Sequence, residues 1–161
     1  MQNPRSPHQG TSVINKENLE LFTDHHITAV FNQIGKYDLV VDDHFHSVIA
    51  PIAVEWVKTF NRNHAPTLQS ILLTLTHRNI ESPELEQAVV SKLDEESIYR
   101  YLDLTGTVAI FLSLSKHKRF HKTSLFEKIQ KVIYQQKKYY SQKPDLLKDI
   151  KEGMEILEHS G

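Results

Sequence analysis

The chain contains no cysteine. That absence removes disulfide frameworks, thiolate nucleophiles and cysteine-built zinc sites, and it fits a reducing compartment. Glycine is scarce, five in 161 residues, so no glycine-rich loop is available to cradle a phosphate. Net charge is close to nil, with 19 Lys and Arg against 20 Asp and Glu, and no molecule-wide field marks the chain as a nucleic-acid or membrane binder. No apolar run approaches the roughly 18 residues that a membrane-spanning helix requires. The opening MQNPRSPHQGTS lacks an apolar signal-peptide core. A cytoplasmic protein without a membrane partner is the expectation.

What the chain has is helical periodicity. Residues 1–13 are polar and aperiodic and read as a flexible tail, with one helical domain over 14–161. From Asn15 apolar residues recur at threes and fours as far as Ile34, and Gly35 stops the pattern. Residues 45–60 carry Phe45, Val48, Ile49, Ile52, Trp56 and Phe60 on one stripe, where Pro51 either kinks a helix or begins one. Pro66 opens a further run. Ser82, Pro83 and Glu84 give a cap, a first-turn proline and a first-turn acid. Asp94, Glu95 and Glu96 read as the next start. TGTVAIFLSLS, 105–115, is apolar or small almost all round, as a buried central helix requires. Ser124 and Glu127 have capping-box spacing, and Pro144 opens a last helix. YDLVV, 37–41, is the one strand-like stretch, and no internal repeat is evident. The fold class expected is all-α, a single compact bundle of six or seven helices packed around 105–115, with Trp56 and Phe60 in the core.

Charge is unevenly spread along this framework. Residues 116–143 hold nine Lys or Arg and one acid, Glu127, whereas 81–103 hold seven acids and two bases. Such an arrangement makes separate basic and acidic patches, which meet partners or each other. The basic segment offers Lys116, Lys118, Arg119, Lys122, Lys128, Lys131 and Lys138 as binding residues, with Phe120, Tyr134 and Tyr139 for stacking on bases. KHKRFHK, 116–122, is expected to be a solvent-exposed corner that includes His117 and His121. A plainer reading has the lysine face complement Asp149, Glu152, Glu155 and Glu158 of the following helix.

Ten histidines are many for this length. DHH at 24–26 and DDHFH at 42–46 contain metal-ligand types, and His25, Asp43, His44 and His46 are the candidate ligands if 42–47 is a loop on which they converge. His26 falls four residues from Phe22 and from Val30, as a core histidine would. HExxH, ExxH and GxSxG are all missing, so no motif names a reaction, no catalytic residue is assigned and no cofactor is implied. The expected function is a non-enzymatic helical module that binds and regulates or neutralises another protein, in an adaptor, inhibitor or immunity-type role. Nucleic-acid backbone binding through 116–143 is the first alternative, and a metal-dependent hydrolase built on the His and Asp of 24–46 is the second. Self-association is compatible with every one of these.

Overall fold

The structure, a computed structural model, describes residues 24–36, 41–59, 65–95 and 97–160, and the side chains of Asp24 and His25 fall outside the description. Among the described residues there is no strand. The helices are α1 (Asp24–Lys36), α2 (Ala50–Thr59), α3 (Ala65–His77), α4 (Pro83–Glu95), α5 (Leu104–Ser115), α6 (Ser124–Gln135), the single turn α7 (Lys137–Tyr140) and α8 (Pro144–Ser160). The fold is compact and all-α, and seven of these helices have ten residues or more, in line with the six or seven expected.

Most helix starts obey the chemistry of their first turn. Asp103 is extended and accepts from the Gly106 amide at 2.6 Å, which fixes the start of α5. Pro83 and Pro144 stand at first helical positions, where the missing amide proton would have had no partner. The cap of α6 is Thr123, one residue before the Ser124 expected, and its hydroxyl accepts from Phe126 N at 3.3 Å. Asp94 and Glu95 do not begin a helix. They end α4, and a 3-10 turn, Ile98–Tyr101, follows.

Pro51 does not start its helix. The chain is helical from Asp43, and a π turn, Phe45–Ile49, runs directly into α2. Ala50 N–H bonds the Phe45 carbonyl, five residues back. That widened turn ends where proline, which can donate no bond to Ser47, would have broken an α-helical ladder. Asp42 covers the start, with its carboxylate accepting from the amides of His44 and Phe45 at 3.1 and 3.4 Å.

The helices stack as hairpins. α1 packs on α3, α3 on α5 and α5 on α8, forming one layer, and α2 packs on α4 and α4 on α6, forming a second. Helices α1, α3, α5 and α8 begin 41, 39 and 40 residues apart. Their buried positions keep step, with Phe31, Leu72 and Phe111 equivalent, and likewise Ile34, Leu75, Leu114 and the partly buried Met154. In the second layer Leu85, Val89 and Leu93 of α4 recur as Leu125, Ile129 and Ile133 of α6. The chain is therefore a helical-hairpin repeat of about 40 residues, which corrects the reading that no repeat is present. α5 is buried because hairpins lie on both sides of it.

Small and hydroxyl side chains line the seams of the first layer. Thr74 donates to the Phe31 carbonyl at 3.1 Å, Thr28 and Thr67 share a bond of 2.8 Å, and Thr76 meets Ser113. Gly153 of α8 occupies the place of Thr74 and Ser113 and lies against the Phe111 ring. Short side chains let the helix axes approach, and buried hydroxyls stay bonded. Trp56 is fully buried, as expected, whereas Phe60 and residues 37–40 of the strand-like stretch lie outside the described residues, as does the tail. His26 is exposed, because α1 turns Ile27, Phe31 and Ile34 inward and leaves both His26 and Val30 outside.

Candidate functional site

The connection between α5 and α6 is built from the inside. Phe120 is buried within a 3-10 turn, Lys118–Phe120. His121 is half-buried, bonded through Nε2 to the Ser115 carbonyl at 2.7 Å and stacked on Phe126 with ring centroids 5.6 Å apart. It satisfies a carbonyl of the last turn of α5 that the helix itself leaves open. His117, also half-buried, lies near the Thr76 backbone, and its Nδ1 lies 3.4 Å from Arg119 Nη1. Burial, then Arg119, lower its pKa. The expected solvent-exposed corner thus holds for Lys116, Lys118, Arg119 and Lys122 and is corrected for His117, Phe120 and His121, whose rings close the ends of α3 and α5.

Two cations of the basic segment are tied to the acidic one. Arg119 donates from Nε and Nη2 to the two Glu86 oxygens at 2.9 and 2.8 Å, and Lys128 donates to Asp94 Oδ1 at 2.6 Å. The Glu86 carboxylate raises the Arg119 pKa, and Asp94 raises that of Lys128. These bonds join successive second-layer helices in parallel register. The acids that complement the basic stretch therefore come from α4, 40 residues upstream in the repeat, and the expected pairing with the last helix is replaced by this one.

Of the other cations in the basic segment, Lys131 lines a cleft of about 480 Å³ between the 98–101 turn and α6, which Lys128 also lines. Tyr99 and Arg100 form one wall. Lys128, Lys131, Val132 and Gln135 form the other, and Gln136 closes the end. Positions 128, 131, 132 and 135 share a helix face, so the sequence delivers them together. The Arg100 guanidinium lies 5.9 Å from the Tyr99 ring centre and its Nε approaches the Tyr99 hydroxyl at 3.5 Å, which raises the Arg100 pKa. Among the described residues neither Arg100 nor Lys131 has a carboxylate partner. Tyr101, beside Arg100, and Tyr134, three residues after Lys131, are 62 % and 54 % exposed, and Tyr139 on α7 is more exposed still.

The same groove exists one repeat earlier. Between α2 and α4 a cleft of about 380 Å³ is lined by Val57 and Lys58 on one side and by Ala88, Ser91, Lys92 and Glu95 on the other. Forty residues on, the positions of Ala88, Ser91 and Glu95 are Lys128, Lys131 and Gln135. The groove itself belongs to the repeat, but the earlier copy balances Lys58 and Lys92 with Glu84 and Glu95, whereas the later one sets Arg100, Lys128 and Lys131 in a lining without an acid. Of the seven basic residues read from the sequence, the structure brings Lys128 and Lys131 together here and leaves Lys116, Lys118, Lys122 and Lys138 exposed along the two ends of α6. Arg100 was not among them, because it lies in the acidic segment and only the turn after α4 carries it across.

The metal candidates fare differently. Residues 43–49 are helical, so His44 and His46, two apart, point to different sides and the loop on which they were to converge does not form. His46 packs edge-on to Phe45 at 5.2 Å, and the Asp43 carbonyl accepts from Ser47 at 2.6 Å. Among the described residues no three His, Asp or Glu side chains are placed to hold a metal ion. The His25 side chain lies outside the description. Nor is any helix of the described residues long and apolar enough to cross a membrane. No family model matches the sequence, and no curated protein matches it.

Proposed function

We propose that the chain is a non-enzymatic binding module, a stack of helical hairpins that recognises a negatively charged macromolecule through the cleft between the 98–101 turn and α6. The observation that carries this reading is the position-by-position contrast between two equivalent grooves: Ala88, Ser91 and Glu95 in one, Lys128, Lys131 and Gln135 in the other. Lys128 also ties α6 to Asp94 of α4, but neither Lys131 nor Arg100 has a carboxylate partner among the described residues, and the first copy stacks with Ser91 at the position of Lys131. Like charges gathered in one groove repel each other, and an occupant of opposite sign relieves that repulsion. Stacked repeats also present extended surfaces suited to long partners.

The test is fluorescence anisotropy at low salt with two labelled polyanions of different chemistry, an oligo-glutamate peptide and a homopolymeric single-stranded oligonucleotide. Binding of either one that is lost when Arg100 and Lys131 are both changed to glutamine supports the reading. No binding of either polyanion, or binding indifferent to those substitutions, rejects it.

A further inference from the structure

Resting on that reading, we infer that the cleft takes the sugar-phosphate backbone of a single-stranded nucleic acid, with bases stacked on the exposed tyrosines Tyr101 and Tyr134. The lining supplies what a phosphodiester needs. Arg100 offers a planar fork of donors, Lys131 a mobile ammonium, and Gln135 and Gln136 neutral amide donors at the closed end. Lys128 adds a third cation, already shared with Asp94. Among the described residues no acid lines the cleft, and the acids near its cations in the structure or the chain are that paired carboxylate and the exposed Glu127, four residues before Lys131. The local field therefore stays positive.

The aromatic groups select among polyanions. An acidic peptide is satisfied by the cations alone, whereas Tyr101, next to Arg100 in the chain, and Tyr134, one helical turn after Lys131, are exposed although neither lines the cleft itself. Exposed rings next to phosphate-binding cations form a stacking platform, and every base has a face to lay on it. Among the described residues the large hydrophobic side chains with most exposure are Val30 and three tyrosines, and all three tyrosines lie between 99 and 140 with the cations. A volume of about 480 Å³ suits one small-molecule-sized unit. That leaves room for one nucleotide of a flexible single strand. Lys118 and Lys122 before α6, and Lys137 and Lys138 after it, are exposed and add positive charge at the two ends of that helix.

The experiment compares a labelled oligo-dT of about a dozen nucleotides, its duplex form and oligo-glutamate, across a salt series. The single strand should bind most tightly, with log affinity falling linearly with log salt. Changing Arg100 and Lys131 to glutamine together should flatten that slope by about 1.4, which is roughly 0.7 for each single-strand phosphate contact. Changing Tyr101 and Tyr134 to alanine should weaken binding at least about fivefold and leave the slope unaltered. Lys58→Gln with Lys92→Gln, in the equivalent groove, should do neither. All six side chains lie at the surface or groove rims, and circular dichroism of each variant checks the fold. If oligo-glutamate or duplex binds as tightly as the single strand, or the tyrosine variant binds unchanged, the nucleic-acid assignment is overturned while polyanion binding survives. If nothing binds at low salt, both fall.

Discussion

Gly153 lies mid-helix in α8, where alanine would ordinarily be the better residue by about 0.8–1.0 kcal/mol. The structure reverses that expectation. A Cβ at 153 would stand 2.6 Å from Cε2 of Phe111 and 3.2 Å from two more ring atoms, whereas carbon contacts are comfortable at about 3.5–4.0 Å. The ring has nowhere to go. Phe111 is buried and stacked on Phe126 at 5.8 Å with the planes 8° apart, and Phe126 stacks in turn on His121. Overpacking of this kind costs about 1–3 kcal/mol, so Gly153→Ala should be destabilising by about 1 kcal/mol after the propensity gain. For a chain of this size that lowers Tm by roughly 2–4 °C. Urea unfolding followed by far-UV circular dichroism gives the sign directly. In a Phe111→Leu background the obstruction is removed, and Gly153→Ala should then stabilise, a coupling of 1 kcal/mol or more between adjacent sites. If Gly153→Ala stabilises the otherwise unaltered chain, the α5–α8 seam is not as close as described and the argument fails.

Other outcomes are expected from single contacts. The Arg119–Glu86 fork is half exposed on the arginine side, so a double-mutant cycle with alanine at both positions should give a coupling of only about 0.5–1 kcal/mol, falling with added salt; a value near zero at low salt would contradict the bidentate geometry. The Tyr140 hydroxyl is buried and has no hydrogen-bond partner among the described residues, and burial raises its pKa. Tyr140→Phe should therefore leave stability unchanged or raise it by up to about 1 kcal/mol, and a clear loss in thermal unfolding would reveal a bond to that oxygen. His77 and His117 have pKa values lowered from 6.5, both first by burial, then by Lys116 for His77 and by Arg119 for His117, with Glu86 opposing at His117. The unfolded chain binds protons that the folded one refuses. Stability should be full above about pH 6.5 and decline as pH falls through 6.5 toward the lowered folded values, and urea midpoints at pH 7.5 and 5.5 should differ less once both histidines are glutamine.

Much of the fold is legible in the sequence because first turns have local chemistry. Pro83, Pro144 and the apolar run at 105–115 each announce their helix without reference to any other part of the chain. Capping is less sharp, since Thr123 and Ser124 are both eligible and only the geometry of the connection selects Thr123. The acids at 94–96 mislead for a related reason. Carboxylates usually favour first turns, but Asp94 sits at the end of α4 because Lys128 of the next hairpin meets it there. The repeat was written in ILLTLTH at 71–77 and IFLSLSK at 110–116, where threonine is matched by serine and leucine by phenylalanine. A match of shape and hydroxyl placement is easily passed over when letters are compared. The candidate cleft was half visible: helical spacing groups Lys128, Lys131 and Gln135, whereas Arg100 joins them only through tertiary stacking.

The hairpin stack also bears on how the chain comes apart. Its main interfaces link each hairpin to the next, so stability accumulates as a series of local folding terms and nearest-neighbour terms, in the manner of a one-dimensional chain of coupled spins. Among the described residues the inner hairpin α3–α4 has a neighbour on both sides, and α1 and α8 each pack mainly on one helix of their layer. Opening at such an outer helix breaks one interface, whereas opening in the middle breaks two. Opening of the described helices is consequently easier at α1 and α8 than in the middle, and the seams decide how far the continuous buried core holds the hairpins together as one unit. The seam residues Thr74, Ser113 and Gly153 thereby act as couplers that determine whether the molecule melts as one unit or unzips hairpin by hairpin.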